Sequence, residues 1–318
     1  MRFQRLRRAF LAVACLSSLL TACGGGESVV SKFQPTRVVS FGDAFSDIGQ
    51  RAGAQYSIND ATRVNWTQEF AARYALSLAP SSSGGTSYAI GSARVTARPD
   101  AAGDASTPTI TDQVNAFLAA SRPDANDIVI VSGGTSDVLA EVAAYRAGTQ
   151  DAATTTSHLA QAGRELGAQV RRLIDAGAKH VLVTGVYNLG RSPWAASTGQ
   201  APFIEALTGS FNNALLVSIV DFGSTTLYVD AALFYNLVTA NPIAYGVTDV
   251  FSVACTSVDP GAGIGIGAGQ VNSTLCTDAT LNAGVASATA LFADPVYFTP
   301  IGQVRFGDYA ADRLRARF

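Results

Sequence analysis

Four aspartates stand beside small residues where apolar runs break off: Asp43 and Asp47 in Gly42-Asp43-Ala44-Phe45-Ser46-Asp47, Asp137 in Ser132-Gly133-Gly134-Thr135-Ser136-Asp137, and Asp294 in Asp294-Pro295-Val296-Tyr297. Carboxylates gathered at one mouth can exchange protons with a substrate or hold a hard cation. The competing reading is local, because an aspartate at a turn or helix start accepts from exposed backbone N–H groups. Asp43, Asp47 and Asp137 lie where such turns are expected, so the capping role is favoured and no metal site is expected. Ser46 and Thr135 carry hydroxyls, but neither has a base beside it in the sequence. The chain has two histidines, His158 in a helical pattern and His180 at the start of an apolar run. Those settings favour structural or surface duties. Gly133-Gly134 lacks the following Gly-Lys-Ser/Thr of a phosphate cradle, and no cofactor is expected.

The elements that must position these residues follow from periodicity. Short β-branched runs at 37–41, 127–132, 180–184 and 225–229 read as buried strands. Between them, 65–76, 158–176, 203–219 and 301–317 repeat apolar residues at helical spacing. Such alternation predicts an α/β fold with a parallel sheet covered by helices on both faces. Ligands in such sheets sit at the carboxyl ends of strands, which is where the Gly42 and Ser132 segments and the segment Gly185 to Arg191 fall. The aromatic residues Trp194, Phe234, Tyr235, Tyr245 and Phe251 lie further on, where packing is the commoner role and ligand contact the rarer one.

Four blocks in the correct order resemble the SGNH (GDSL) lipases and esterases from residue 36 to the end of the chain. The resemblance implies a flavodoxin-like three-layer α/β/α domain with a parallel central sheet, spanning 36–318. In Val38-Val39-Ser40-Phe41-Gly42-Asp43-Ala44 the family's nucleophilic serine is replaced by Ala44. The block Tyr88-Ala89-Ile90-Gly91-Ser92-Ala93-Arg94 keeps Gly91, whose N–H the family would direct into an oxyanion hole together with that of residue 44. Ser136 stands where the family has an asparagine donor; a hydroxyl can donate, though it is shorter. Asp294 matches the acid of the Asp-x-x-His block, and Tyr297 replaces its histidine. A phenol is protonated at neutral pH and cannot take a proton as imidazole does. With nucleophile and base both absent, no acyl-enzyme is expected.

The opening residues read as an export signal. Arg2, Arg5, Arg7 and Arg8 precede an apolar run that meets Leu20-Thr21-Ala22-Cys23, a pattern similar to a bacterial lipobox. It implies a signal peptide at 1–22, lipidation of Cys23, a flexible tether at 23–35 and a membrane partner reached through the lipid anchor. Arg7-Arg8 leaves both the general secretory and the twin-arginine routes open. Gly24 is not the aspartate of an inner-membrane retention signal, so the outer membrane is the expected address. Removing 1–22 takes four arginines and no acid, which moves the formal charge from −2 to −6 and argues against a nucleic-acid partner. Cys255 and Cys276 flank a glycine-rich segment; in an oxidising envelope a disulfide is favoured over a zinc pair, at about 3 kcal/mol.

Three functional readings remain. The first is a non-hydrolytic SGNH/GDSL-like lipoprotein that keeps the pocket and binds an acyl or carbohydrate ligand. The second is an active ester hydrolase or acyl transferase with a rearranged site built on Tyr297, Ser136 or an acid. The third is a structural envelope protein without a small-molecule ligand.

Overall fold

A run of valines and isoleucines has no polar face to offer water, so it is stable only inside a sheet covered on both sides. In the computed structural model, β1 (Arg37–Phe41), β2 (Asp127–Ser132), β3 (His180–Thr184) and β4 (Thr226–Tyr228) form a parallel sheet in the order β1-β2-β3-β4. The structure describes residues 33–318 apart from 52 and 61–63. Cys23, the signal peptide and most of the tether lie outside the described residues. Register is continuous from Arg37 opposite Asp127 to Phe41 opposite Val131. The Arg37 guanidinium clamps the amino-terminal edge through Asp127, with Nε 3.0 Å from Oδ1. Along the outer edge of β1, Ser40 N–H donates to Thr86 O at 3.0 Å and Tyr88 N–H to Ser40 O at 2.7 Å. That pairing carries Gly91 to the carboxyl end of β1.

Helices α1 (Trp66–Ala72), α2 (Ile110–Ala120), α3 (Thr135–Arg146), α4 (Ala152–Asp175), α5 (Pro193–Thr198), α6 (Ala201–Ile219), α7 (Ala231–Ala240) and α8 (Pro300–Arg317) complete the layers. The expected helices at 65–76, 158–176, 203–219 and 301–317 correspond to α1, α4, α6 and α8. Asn65 starts α1 with a capping box, its side chain accepting from Thr67 N–H while Gln68 accepts from its own N–H. Close approach of α4 to α6 requires glycine: a Cβ on Gly163 would lie 2.3 Å from Phe211 O. On the other layer, a Cβ on Gly307 of α8 would lie 2.7 Å from Trp66 O. The core is rich in rings, with Trp66 edge-on to Phe306 at 4.9 Å and both wholly buried. Each contributes roughly 2–3 kcal/mol by burial alone.

After β4 the chain adds β5 (Asp249–Val253), the small antiparallel pair β6 (Val258–Asp259) and β7 (Gln270–Val271), and β8 (Ala290–Phe292), which pairs parallel with β5. These short strands lack the sustained runs that mark β1 to β3, so periodicity does not predict them. The disulfide Cys255–Cys276 is present, with Cα atoms 5.8 Å apart. It anchors a satellite core with Ile58, Ala254, Ala290 and Ala293.

Candidate functional site

The turn that leaves β1 is held by its own acid. Asp43 accepts from Phe45 N–H at 3.0 Å and from Ser136 N–H at 3.3 Å, so one carboxylate caps the short helical turn 44–46 and the start of α3. Gly42 is obligatory here, since a Cβ would lie 2.8 Å from Ser132 O. Asp47 accepts from Gly49 and Gln50 N–H at 2.9 and 2.8 Å with one oxygen and from Gly91 N–H at 2.8 Å with the other. Asp137 accepts from Val95 N–H at 3.1 Å and from Arg94 Nε at 3.3 Å. Asp294 accepts from Val296 and Tyr297 N–H at 2.8 and 2.7 Å and also from the Ser273 hydroxyl. All four carboxylates are thus consumed in positioning backbone. No group of three or more metal-ligating side chains occurs among the described residues.

Ala44, Gly91, Ser136, Asp294 and Tyr297 are brought together at this end of the fold, yet none of them faces solvent. The open pocket anticipated at this place is filled. Tyr56 lies over Gly91 so closely that a Cβ there would come within 2.0 Å of the phenol oxygen. Its ring stands edge-on to that of Tyr297 at 5.0 Å. Gly91 is also a correction to the oxyanion expectation, because its N–H is already donated to Asp47 and does not point at an empty hole. The Ser136 hydroxyl and the Tyr297 phenol are buried with no hydrogen-bond partner among the described residues. Each such orphan costs about 1–3 kcal/mol, so neither is held in a working network.

Tyr56 carries no motif and sequence reasoning missed it. The loop that delivers it is tied to the disulfide segment: Asn59 N–H donates to Cys276 O at 2.9 Å and the Asn59 amide to Ser273 O at 3.0 Å. Ser273 in turn holds Asp294. One crosslinked segment therefore supports both the tyrosine that covers Gly91 and the acid next to Tyr297.

The remaining candidates sort by contact. Ser46 Oγ accepts from Trp66 Nε1 at 3.1 Å inside the core. His158 Nδ1 is 2.9 Å from Glu141 Oε2, and Glu141 also pairs with Arg94. Burial pushes Glu141 up, but hydrogen bonds from Gln150, His158 and Arg94 outweigh it and hold the carboxyl below its ordinary range. His180 stacks on Phe33 at 3.6 Å, at the opposite end of the sheet. Trp194, Phe234 and Tyr235 are buried core residues, and Phe251 is exposed.

Burial raises Asp137 to about 7 and Asp47 and Asp294 to about 6, and pushes the Tyr56 and Tyr297 phenols up as well. A carboxyl raised by folding stabilises the fold fully below its unfolded value of about 4 and loses that contribution as pH rises through its folded value. Acids held low, such as Glu141 and Asp112, act in the opposite sense only below about pH 4. The urea midpoint is therefore expected to be higher at about pH 5 than at about pH 7.5. A midpoint that stays level or rises from about pH 5 to about pH 7.5 would contradict the burial of these three groups.

A parallel α/β sheet flanked by helices, carrying a Gly-Asp turn, a buried glycine and an Asp-x-x-Tyr block at one end, fits the fold of the GDSL-like acyl hydrolases. A sequence profile of the GDSL-like Lipase/Acylhydrolase family matches residues 38–259, and the chain belongs to that family. A Pseudomonas putida protein named "Uncharacterized protein in trpE-trpG intergenic region" is 24% identical over 338 aligned positions, covering 98% of this chain and 53% of that protein. The chain thus spans about half the length of that curated relative. Two solved structures are similar at TM-scores of 0.45 and 0.39, with 12% and 18% identity. The first covers 89% of this chain and 98% of its own, the second 63% and 84%.

Proposed function

We propose that this chain is a non-hydrolytic GDSL-family lipoprotein of the cell envelope, anchored through Cys23 with the outer membrane as its address, and that it acts by binding. The observation that carries this reading is the pair Ala44 and Tyr297: no oxygen stands at the nucleophile position and a buried phenol, raised above its ordinary range, stands at the base position. Tyr56 over Gly91 supports it, since an ester carbonyl has no room beside the turn. An acyl or carbohydrate ligand using this place must first displace Tyr56, which the ties from Asn59 to Ser273 and Cys276 oppose. A serine-directed fluorophosphonate probe tests the reading directly. The wild-type chain is expected to stay unlabelled; labelling that disappears on Ser46→Ala or Ser136→Ala would establish a rearranged esterase instead.

A further inference from the structure

The amino-terminal edge of the sheet, opposite the Asp43–Ala44 turn, joins three features that the buried site does not use. The described chain enters there at Phe33, stacked on His180 at 3.6 Å with Phe318 edge-on at 6.5 Å. Helix α6 descends to the same edge: Val181 N–H donates to Thr225 O at 2.9 Å, and the Arg317 guanidinium donates to Gly223 O. Its inner side, with Leu215 and Ile219, packs on α4, while Leu216, Val217 and Val220 are 46%, 73% and 68% exposed. The segment Ala201–Phe222 has the length and hydropathy of a membrane-crossing helix, yet it is laid against the sheet and only its outward strip is uncovered.

The same edge carries Arg171, Arg172 and Lys179 from the end of α4 and the loop after it, and Arg313, Arg315 and Arg317 from the end of α8; of these, Arg171 and Arg317 touch the segment that follows α6, while Arg172 reaches Asn115 and Arg315 reaches Arg73 O. Arg171 lies over the Phe222 ring at 3.9 Å, which fixes a cation next to the apolar strip. The same short segments contribute three acids, Asp175, Asp221 and Asp312. This edge is therefore net positive on a chain whose residues 23–318 carry a formal charge of −6.

We propose that this edge is the face the protein lays on an anionic lipid surface, with Leu216, Val217 and Val220 entering the headgroup boundary and the arginines meeting lipid phosphates. The inference rests on the reading of Cys23 as the lipid-bearing residue. Nine residues lie between Cys23 and Phe33, a reach of at most about 35 Å when fully extended. The anchor would thus keep this edge, rather than the buried site, near the bilayer and raise its effective concentration there. A second copy is a poorer occupant, because face-to-face contact of two such strips sets six cations against six.

The test uses the full processed chain, reconstituted in vesicles of phosphatidylethanolamine and phosphatidylglycerol doped with an acyl-chain nitroxide lipid. A fluorophore is attached at Val217→Cys or, for comparison, at Ala153→Cys, about 20 Å further along the helical layer toward the other end of α4. Quenching is expected to be several-fold stronger at 217 than at 153, and to fall toward the level at 153 in Arg171→Gln/Arg317→Gln. Equal quenching at both positions, no quenching at 217, or full quenching retained on phosphatidylcholine alone would overturn the proposal. Fluorophore–fluorophore contact at 217 without lipid quenching would overturn it in favour of a second copy. Vesicles that float without the protein would overturn the anchor reading and this one together, whereas flotation with an unquenched label at 217 overturns this one alone.

Discussion

Ala44→Ser/Tyr297→His is expected to remain near background on short activated esters, and turnover is expected to return only when Tyr56→Ala is added. The double reversion restores a nucleophile and a base, yet the Tyr56 ring still lies where the carbonyl must enter, over Gly91 and against residue 297. Reacting atoms have to approach to within about 3.5 Å, so an occupied approach cancels the chemistry behind it. A general base contributes about 10²–10⁴-fold once substrate can reach it, and the triple variant should gain at least about 10²-fold over the double. Replacing Ser136 by Asn in that background should add up to about another 10²-fold by supplying the longer oxyanion donor. The wild-type chain should lie about 10⁶-fold below a working serine esterase, since losing triad members leaves little beyond binding and the hole. Steady-state hydrolysis of p-nitrophenyl acetate measures all of these. A double reversion as active as the triple would show that Tyr56 is no obstacle. Wild-type turnover insensitive to changes at Ser46, Ser136 and Tyr297 would place the chemistry elsewhere.

Cys255→Ser/Cys276→Ser is expected to cost about 3 kcal/mol and to lower the melting temperature by roughly 6–10 °C. The bridge closes a loop of 21 residues in sequence separation, and that loop is rich in glycine, so the unfolded chain regains much freedom when it is opened. The loss should be felt beyond the loop. Asn59 hangs from Ser273 and Cys276, and Ser273 holds Asp294, so both the cover over Gly91 and the acid beside Tyr297 lose their support. Tyr56 should accordingly become more accessible to nitration by tetranitromethane in the variant than in the parent. An unchanged melting temperature would show that the satellite core around Ile58 and Ala254 stands without the crosslink.

The strands β1 to β3 and the helices α4, α6 and α8 are legible because burial on one or both faces imposes a period on the side chains, and a period can be read from the order of residues. The Asp43–Ala44 turn is legible for a related reason: it follows the last buried residue of a strand, where the sheet ends and the backbone needs a cap. Ala44 and Tyr297 are likewise visible as residue types. The use of Asp294 and Gly91 is not visible. Asp47 takes the Gly91 N–H from 44 residues away, and Ser273 meets Asp294 across 21. Tyr56 belongs to a loop without period, and its seat over Gly91 depends on Asn59 reaching Ser273 across 214 residues. Loop contacts of that kind are chosen by packing and by the need to satisfy buried polar groups, which act on distance in space and leave no repeat along the chain. So the sequence by itself determined that this is an α/β chain with alanine at residue 44 and tyrosine at residue 297. Only the tertiary structure decided that the place those residues would occupy is closed, because a ring and a glycine 35 positions apart must touch before either can fill the other's space.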